Sequence, residues 1–295
     1  MGPDGESLPR KPEGSKARLH RLGLSALFWT CSVSVFVAPI FMPRDIQAIY
    51  MIGLPIVFLL SSVLLRRNRN LAKYFPVSFA FFVASAAYAH YLLLGVLFSI
   101  PIGSIPSTIN SIVLHKLLST LLVVVPIVLL TKVSGNDMAS IYLKKGKLRL
   151  GLLVGLTTFL VFLATSVESS KMLFKGAPSL SFQNVVSWAP WILAFVLANG
   201  LREELWFRGL FLKKYESLLG ADAANLVQAL VFPMAHLGAG YTASLPIFLA
   251  IVFFLGLAFG AVTQKTDSLL GAILFHAGTD IPAVLGYFSN PLVTP

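Results

Sequence analysis

The sequence is poor in cysteine and in charged residues. Cys31 is the only cysteine among 295 residues, which excludes an intrachain disulfide and a thiolate metal cluster. Only 12% of the residues are charged, about half the fraction of soluble domains, while 56% are hydrophobic. The mean hydropathy is +0.81. These values exclude a soluble globular protein and indicate a membrane protein with several spanning segments.

Two motifs that are common among hydrolases are also absent. The sequence has no His-Glu-x-x-His stretch, which places two zinc ligands and a general base on one helix. It has no Gly-x-Ser-x-Gly elbow, which presents the nucleophile of soluble serine hydrolases. The absence of both motifs argues against these two hydrolase designs and leaves other chemistry open.

Acidic residues are scarce relative to basic ones, at 12 against 23, so the formal net charge is +11. Such a surplus can indicate nucleic-acid binding, but no basic patch here is interleaved with aromatic residues. The basic residues instead form short clusters between apolar runs, at residues 10–21, 66–73, 144–149, 213–214 and 265. The positive-inside rule then places the N-terminus in the cytoplasm, and the C-terminus outside if nine runs cross the membrane.

Nine apolar runs are candidates for spanning helices. They cover residues 22–42, 46–65, 75–100, 112–131, 148–167, 185–212, 223–236, 246–263 and 268–288. Most contain about 20 residues, the length that a helix needs to cross a bilayer, and the run 223–236 is the shortest. We predict an all-α polytopic membrane protein with eight or nine transmembrane helices and an intramembrane cavity. The Gly-, Pro- and charge-rich residues 1–21 are predicted to be a disordered basic arm.

Four charges stand together near the end of the sixth run, at Arg202, Glu203, Glu204 and Arg208. A charge at the bilayer centre costs roughly 3 kcal/mol, so charges at this depth need partners or a function. Glu204 and Arg208 share one helix face, in the order that favours an ion pair. Glu203 lies about 100° round the helix, on the face of Asn199, where it is free to act as a general base. The alternative is that the four charges mark the membrane boundary.

Two histidines occur in later apolar runs, each within a short motif. His236 ends the sequence Phe-Pro-Met-Ala-His, and His276 is followed four residues later by Asp280. At 1.5 Å per residue, Glu203 lies about 14 Å and His276 about 12 Å from the cytoplasmic ends of their runs. His236 lies about 20 Å deep by the same rise, so it needs a tilted helix, a kink at Pro233 or a late helix start to reach them.

The order Glu-Glu-x-x-x-Arg, Phe-x-x-x-His and His-x-x-x-Asp, each on its own apolar run, resembles the CAAX-protease and bacteriocin-processing family. Members of this family are intramembrane glutamic-type endopeptidases related to the CAAX prenyl endopeptidase. The resemblance covers roughly residues 145–285 and implies a catalytic core at residues 145–290, preceded by variable transmembrane helices at residues 22–144.

The resemblance also implies a role for each motif residue. Glu203 would activate a water molecule with the help of His236, and His276 and Asp280 would lie on the oxyanion side. Many relatives have Asn where this chain has Asp280, and an ionised Asp cannot donate a hydrogen bond to an oxyanion. We therefore expect Asp280 to orient His276 through the second ring nitrogen.

Glu204 and Arg208 are expected to hold the site together, and Glu204 is the reserve candidate for the base. No cofactor is expected, but Glu203, His236 and His276 also match a two-histidine, one-carboxylate zinc site. Two other classes of function remain open. One is a transporter in which the buried acids relay protons, and the other is an inactive partner or immunity protein.

The expected substrate is a membrane-associated peptide or protein, such as a CAAX-like C-terminus that carries a lipid, and no nucleic acid is expected. Compact loops without an organelle-targeting signal favour a bacterial plasma membrane over the endoplasmic reticulum. His90 and His115 lie in apolar runs without a motif partner, and we expect them to make helix-packing hydrogen bonds.

Overall fold

The structure is a computed structural model that describes residues 15–97, 108–174, 180–239, 242–290 and 293. Within these ranges the chain forms helices and no β-strand, which confirms the predicted all-α class. The helices are α1 (Ser15–Phe36), α2 (Arg44–Arg67), α3 (Phe75–Leu97), α4 (Ile109–Val133), α5 (Leu148–Leu173), α6 (Phe182–Ser187), α7 (Ala189–Glu204), α8 (Lys213–Leu219), α9 (Ala221–Val231), α10 (Leu245–Thr266) and α11 (Leu270–Phe288).

Five segments of the described chain are long and apolar enough to cross a membrane. They are Ile46–Arg67, Ala72–Leu92, Ile109–Val133, Leu148–Leu173 and Leu245–Thr266. The protein is therefore an all-α polytopic membrane protein, and a total of eight or nine spans remains a prediction.

The predicted span at residues 223–236 is wrong as a single crossing helix. α9 has only 11 residues and is about 16 Å long, whereas the hydrocarbon core of a bilayer is about 30 Å thick. Pro233 explains the early end of the helix, because it has no backbone N–H to donate to the carbonyl one turn earlier and its ring crowds that turn. The chain continues as a short 3₁₀ turn, Met234–His236.

The predicted span at residues 185–212 is likewise divided. α6 ends at Ser187, and Pro190 in the first turn of α7 starts a new helix in the position that proline favours. After Glu204 the chain changes to a π-helical segment, Leu205–Leu212, all of whose residues are buried. Short π-helical stretches are rare and occur often at functional sites.

The arm predicted to be disordered is partly helical, because α1 begins at Ser15. The residues from Lys16 to Leu19 favour helix and follow the last Gly and Pro of the arm, so the helix extends upstream of the apolar run. Residues 1–14 lie outside the described part of the chain.

Small residues bring α5 and α11 close together. A Cβ atom on Gly155 would stand 2.9 Å from the backbone oxygen of Gly271 and 2.7 Å from the Cβ of Leu274. Gly151 and Gly155 are four residues apart on α5, the spacing by which membrane helices approach each other closely. This contact fixes the position of α11, which carries His276.

The first half of the chain packs directly on the π-helical segment that contains Arg208. Phe36 of α1 contacts Trp206 and Phe207, with ring centroids 5.5 and 4.7 Å apart. Phe81 of α3 lies 4.9 Å from the ring of Phe211. The N-terminal helices and the motif-bearing helices therefore share one core.

Three of the basic loops meet at one end of the molecule, as their alternation along the sequence predicted. Lys144 and Lys213 both contact the carboxylate of Asp267, the latter at 3.4 Å. Partial burial raises the pKa of Asp267, but the hydrogen bond from Lys144 and the charge of Lys213 outweigh it and leave the pKa below its usual value. Asp267 also adopts a left-handed conformation, with φ of 53°, that ends α10.

Candidate active site

A fully buried ion pair lies at the junction between α7 and the π-helical segment. Arg208 donates to Oε1 of Glu204 over 2.8 Å, and neither side chain has any exposed surface. The guanidinium also donates to the carbonyl oxygen of Gly256 and lies over the rings of Phe232 and Phe259, at 4.3 and 5.2 Å. The i,i+4 pairing that the sequence predicted for Glu204 and Arg208 is thus confirmed.

His276 of α11 is held by the same carboxylate. Its Nδ1 donates to Oε1 of Glu204 over 2.7 Å, and its ring stacks on Phe259 with centroids 4.7 Å apart. Oδ1 of Asp280 lies 3.6 Å from Nε2, beyond hydrogen-bond length. The expected orientation of His276 by Asp280 is therefore corrected: Glu204 orients the ring, because it reaches the nitrogen that faces away from Asp280.

Glu203 has one occupied and one free carboxylate oxygen. Oε1 accepts a hydrogen bond from Arg202 over 2.9 Å. Oε2 is buried without a hydrogen-bond partner and faces Nε2 of His236 at 3.6 Å and Nε2 of His276 at 3.8 Å. These separations exceed direct hydrogen bonds and suit groups that are bridged by one small molecule.

His236 stands level with Glu203 because α9 is short and the chain turns after Pro233. The Nδ1 of His236 donates to the carbonyl oxygen of Phe232 over 2.8 Å. A carbonyl only accepts, so Nδ1 carries the proton and neutral His236 presents an unprotonated Nε2 toward Glu203. The turn at Pro233 therefore resolves the mismatch in depth that a straight helix over residues 223–236 predicted for His236.

Asp280 belongs to a second polar cluster, which the three sequence motifs do not predict. Its Oδ2 accepts from Nδ2 of Asn199 over 2.8 Å. The amide oxygen of Asn199 in turn accepts from Lys116 over 2.8 Å and from Arg202 over 3.0 Å. One sequence signal was available: Lys116 is the only Lys, Arg, Asp or Glu within the apolar run 112–131, and such residues in a span mark functional sites by default.

The two remaining intramembrane histidines differ. His90 of α3 bonds through Nδ1 to the carbonyl oxygen of Leu122 on α4 over 2.9 Å, which confirms its predicted packing role. His115 lines a cavity that also contains Glu203 and His236. Its buried Nε2 has no hydrogen-bond partner in the described structure. The packing hydrogen bond expected for His115 is therefore absent at this atom.

The side chains of Glu203, His236, His276 and Asp280 open onto a cavity of about 570 Å³. One wall is polar and includes Glu203, His236, His276 and Asp280. The other walls are largely apolar and aromatic, with contributions from α1, α3 and α4; they include Phe36, Ile40, Tyr88, Tyr91, Ile112, Phe162, Phe195, Trp206 and Phe248.

The centre contains residue types that bind zinc in other proteins. Glu203, His236 and His276 offer donors that zinc prefers, and both imidazole Nδ1 atoms are hydrogen-bonded as in metal-ligating histidines. Among the described residues, however, no group of three or more His, Cys, Asp or Glu side chains is arranged to hold a metal ion.

The fold and the site define a polytopic membrane protein with a buried carboxylate–histidine centre. Residues 185–282, 98 of the 295 residues, match the family of type II CAAX prenyl endopeptidases, Rce1-like. The match contains all three motifs, confirms the resemblance found in the sequence and implies a membrane-embedded protease. No curated protein and no solved structure shows a significant match to the chain.

Proposed function

We propose that the protein is an intramembrane endopeptidase in which Glu203 activates water for peptide hydrolysis. The observation that carries the proposal is the free Oε2 of Glu203, which faces two imidazole Nε2 atoms at 3.6 and 3.8 Å. A water molecule hydrogen-bonded to Oε2 and to Nε2 of His236 has a proton acceptor beside it. A buried carboxylate with a free oxygen suits this role.

Glu203 is preferred to Glu204 as the base because their surroundings differ. Glu204 accepts two charge-assisted hydrogen bonds on one oxygen and lies fully buried in the ion pair with Arg208. Each carboxylate has one oxygen without a hydrogen-bond partner, but of the two only Glu203 lines the cavity, where a substrate and a water molecule can reach it. Glu204 is assigned to hold Arg208 and His276 in place.

In the proposed reaction, the water oxygen attacks the carbonyl carbon of the peptide as its proton passes to Glu203. His276, held at Nδ1 by Glu204, donates from Nε2 in its imidazolium form to the oxyanion that develops. The proton on Glu203 then passes to the leaving nitrogen as the C–N bond breaks, which releases an acid and an amine and regenerates the carboxylate.

The proposed substrate is a membrane-anchored peptide or protein. The cavity combines the polar wall with apolar and aromatic walls, as sites that bind molecules with a large apolar part do. The family match adds the proposal that the apolar part is a lipid on a CAAX-like C-terminus. We further propose a cytoplasmic N-terminus and a bacterial plasma membrane, from the distribution of basic residues and the compact loops.

The test is proteolysis by the purified protein in detergent or liposomes. The substrates are a prenylated CAAX peptide and a pool of membrane peptides, assayed with and without a strong chelator. Removal of a general base lowers rates by roughly 10²–10⁴-fold, so we expect Glu203→Gln to lose cleavage by that factor. Glu168→Gln is the matched control, because the side chain of Glu168 is 80% exposed and pairs with Lys171, not with a residue of the site.

Each outcome has a distinct meaning. Cleavage that survives chelation and is lost in Glu203→Gln supports the glutamic mechanism. Cleavage that is lost to the chelator and restored by zinc contradicts it and assigns Glu203, His236 and His276 to a metal site. If the wild type cleaves neither substrate class, the proposal fails in favour of a proton-relaying transporter or an inactive partner protein.

A further inference from the structure

The charges around the site divide into three pairs. Arg208 contacts Glu204 at 2.8 Å, and Arg202 contacts Glu203 at 2.9 Å. Among the described residues that line the cavity, the cation of Lys116 and the carboxylate of Asp280 remain. Unpaired charges are unfavourable in a membrane interior, so the last two are expected to compensate each other.

Asn199 joins these two charges. Its amide oxygen accepts from Lys116 and its amide nitrogen donates to Asp280, both over 2.8 Å. The amide cannot be turned around, because the reversed group would direct its N–H donors at the ammonium and its oxygen at the carboxylate. The chain Lys116–Asn199–Asp280 is therefore polarised in one direction, with positive charge at one end and negative charge at the other.

The side chain of Lys116 is directed from α4 toward α7. Lys116 lies within α4, seven residues after its first residue, where a long side chain usually extends along the helix toward the membrane surface. Here the ammonium instead bonds to Asn199 of α7 and lies 4.6 Å from the centroid of the Phe195 ring. In the described structure the ammonium of Lys116 has no carboxylate oxygen within 4 Å. Its charge therefore acts on Asp280 through the side-chain amide of Asn199.

We propose that Lys116 is a positioning residue of the active site, acting through Asn199 on Asp280. The inference rests on the proposed peptidase function. Lys116 compensates the charge of Asp280 and, through the Asn199 amide on Oδ2, keeps Oδ1 directed at Nε2 of His276, 3.6 Å away. The positive charge of Lys116 therefore allows Asp280 to be ionised close to the oxyanion that develops on the substrate. Lys116 lies outside the family match of residues 185–282, so this part of the site belongs to the first half of the chain.

The test is a double-mutant cycle of Lys116→Met and Asp280→Asn, measured as kcat and KM on the prenylated peptide. Met keeps the length of the side chain and removes its charge, and Asn keeps the shape of Asp. We expect Lys116→Met alone to lower kcat about tenfold or more with little change in KM. Its effect is expected to fall by about tenfold in the Asp280→Asn background, because residues of one hydrogen-bond network couple to this extent.

Two further variants separate charge from packing. Lys116→Arg retains the cation and is expected to keep more of the activity than Lys116→Met. Lys132→Met is the matched control, because Lys132 is an exposed lysine in the last turn of the same helix. Effects of Lys116→Met that are equal in both backgrounds overturn the proposal. A rise in KM without a fall in kcat also overturns it, since Lys116 would then bind the substrate directly.

The wild type and the three variants of the cycle are also compared by thermal unfolding, which requires no activity. If Lys116→Met lowers the melting temperature more in the wild-type background than in the Asp280→Asn background, the pairing of Lys116 with Asp280 is supported. This result holds even if no peptide is cleaved, and in that case only the proposed peptidase function fails. Additive melting temperatures in an active enzyme overturn the pairing and leave the peptidase function standing.

Discussion

Glu204 is a buried carboxylate whose replacement by Gln isolates the effect of its charge. Oε1 accepts from Arg208 and His276 at 2.8 and 2.7 Å, whereas Oε2 has no hydrogen-bond partner. In Glu204→Gln, an amide oxygen in the place of Oε1 still accepts both hydrogen bonds, and the amide nitrogen replaces Oε2. The substitution therefore leaves Arg208 as a buried cation without a carboxylate.

The size of the effect follows from the contacts of Arg208. Removal of one partner from a buried ion pair destabilises a protein by about 3–5 kcal/mol. The carbonyl oxygen of Gly256 and the rings of Phe232 and Phe259 remain as partners and offset about 1 kcal/mol. We expect a net loss of about 2–4 kcal/mol, or roughly 4–16 °C in melting temperature.

The assay is thermal unfolding of the purified protein in detergent, followed by tryptophan fluorescence. Glu203→Gln is the control, since Glu203 and its partner Arg202 keep 10% and 15% of their side chains exposed and a smaller shift is expected. Arg208→Met combined with Glu204→Gln is expected to regain part of the lost stability, because it removes the unpaired cation. A melting temperature of Glu204→Gln within about 1 °C of the wild type would refute the reasoning.

Two other substitutions probe the ion pairs of Asp267 with Lys144 and Lys213 and the contact of α5 with α11. Because folding lowers the pKa of Asp267, its ion pairs add stability above the unfolded pKa of about 3.9, and this stability is lost as the pH falls through the folded pKa. We expect Asp267→Asn, which also tolerates a left-handed conformation, to lose less melting temperature than the wild type between pH 7 and pH 3; an equal loss contradicts the ion pairing. In Gly155→Ala the new Cβ would stand 2.7 Å from the Cβ of Leu274, so we expect a loss of about 1–3 kcal/mol and of cleavage, whereas Gly53→Ala, with open space around it, is the neutral control. Unchanged unfolding and cleavage in Gly155→Ala would show that α5 does not position α11.

Predictions that depend on spacing within one helix agreed with the structure. The apolar composition predicted a polytopic helical protein, and the i,i+4 spacing predicted the pairing of Glu204 with Arg208. The separation of Glu203 from that pair also follows from helical periodicity, which assigns neighbouring residues to different faces. These features are local, so the sequence contains all the information that they require.

Helix boundaries were harder to predict, because an apolar run does not show where backbone geometry changes. Pro233 shortens α9, and the π-helical segment after Glu204 interrupts a run that reads as one helix. Both changes matter for the site. The first brings His236 level with Glu203, and the second follows immediately after the charged pair.

The class of protein and the three motifs could be read from the sequence, because hydropathy and helical spacing are properties of neighbouring residues. The partner that each side chain meets across helices could not, because it depends on how the helices pack. The tertiary structure assigned His276 to Glu204 instead of Asp280, and it brought Lys116 from α4 to Asn199. Such contacts depend on the rotation and axial shift of packed helices, which are set by close approaches such as that of Gly155 to Gly271.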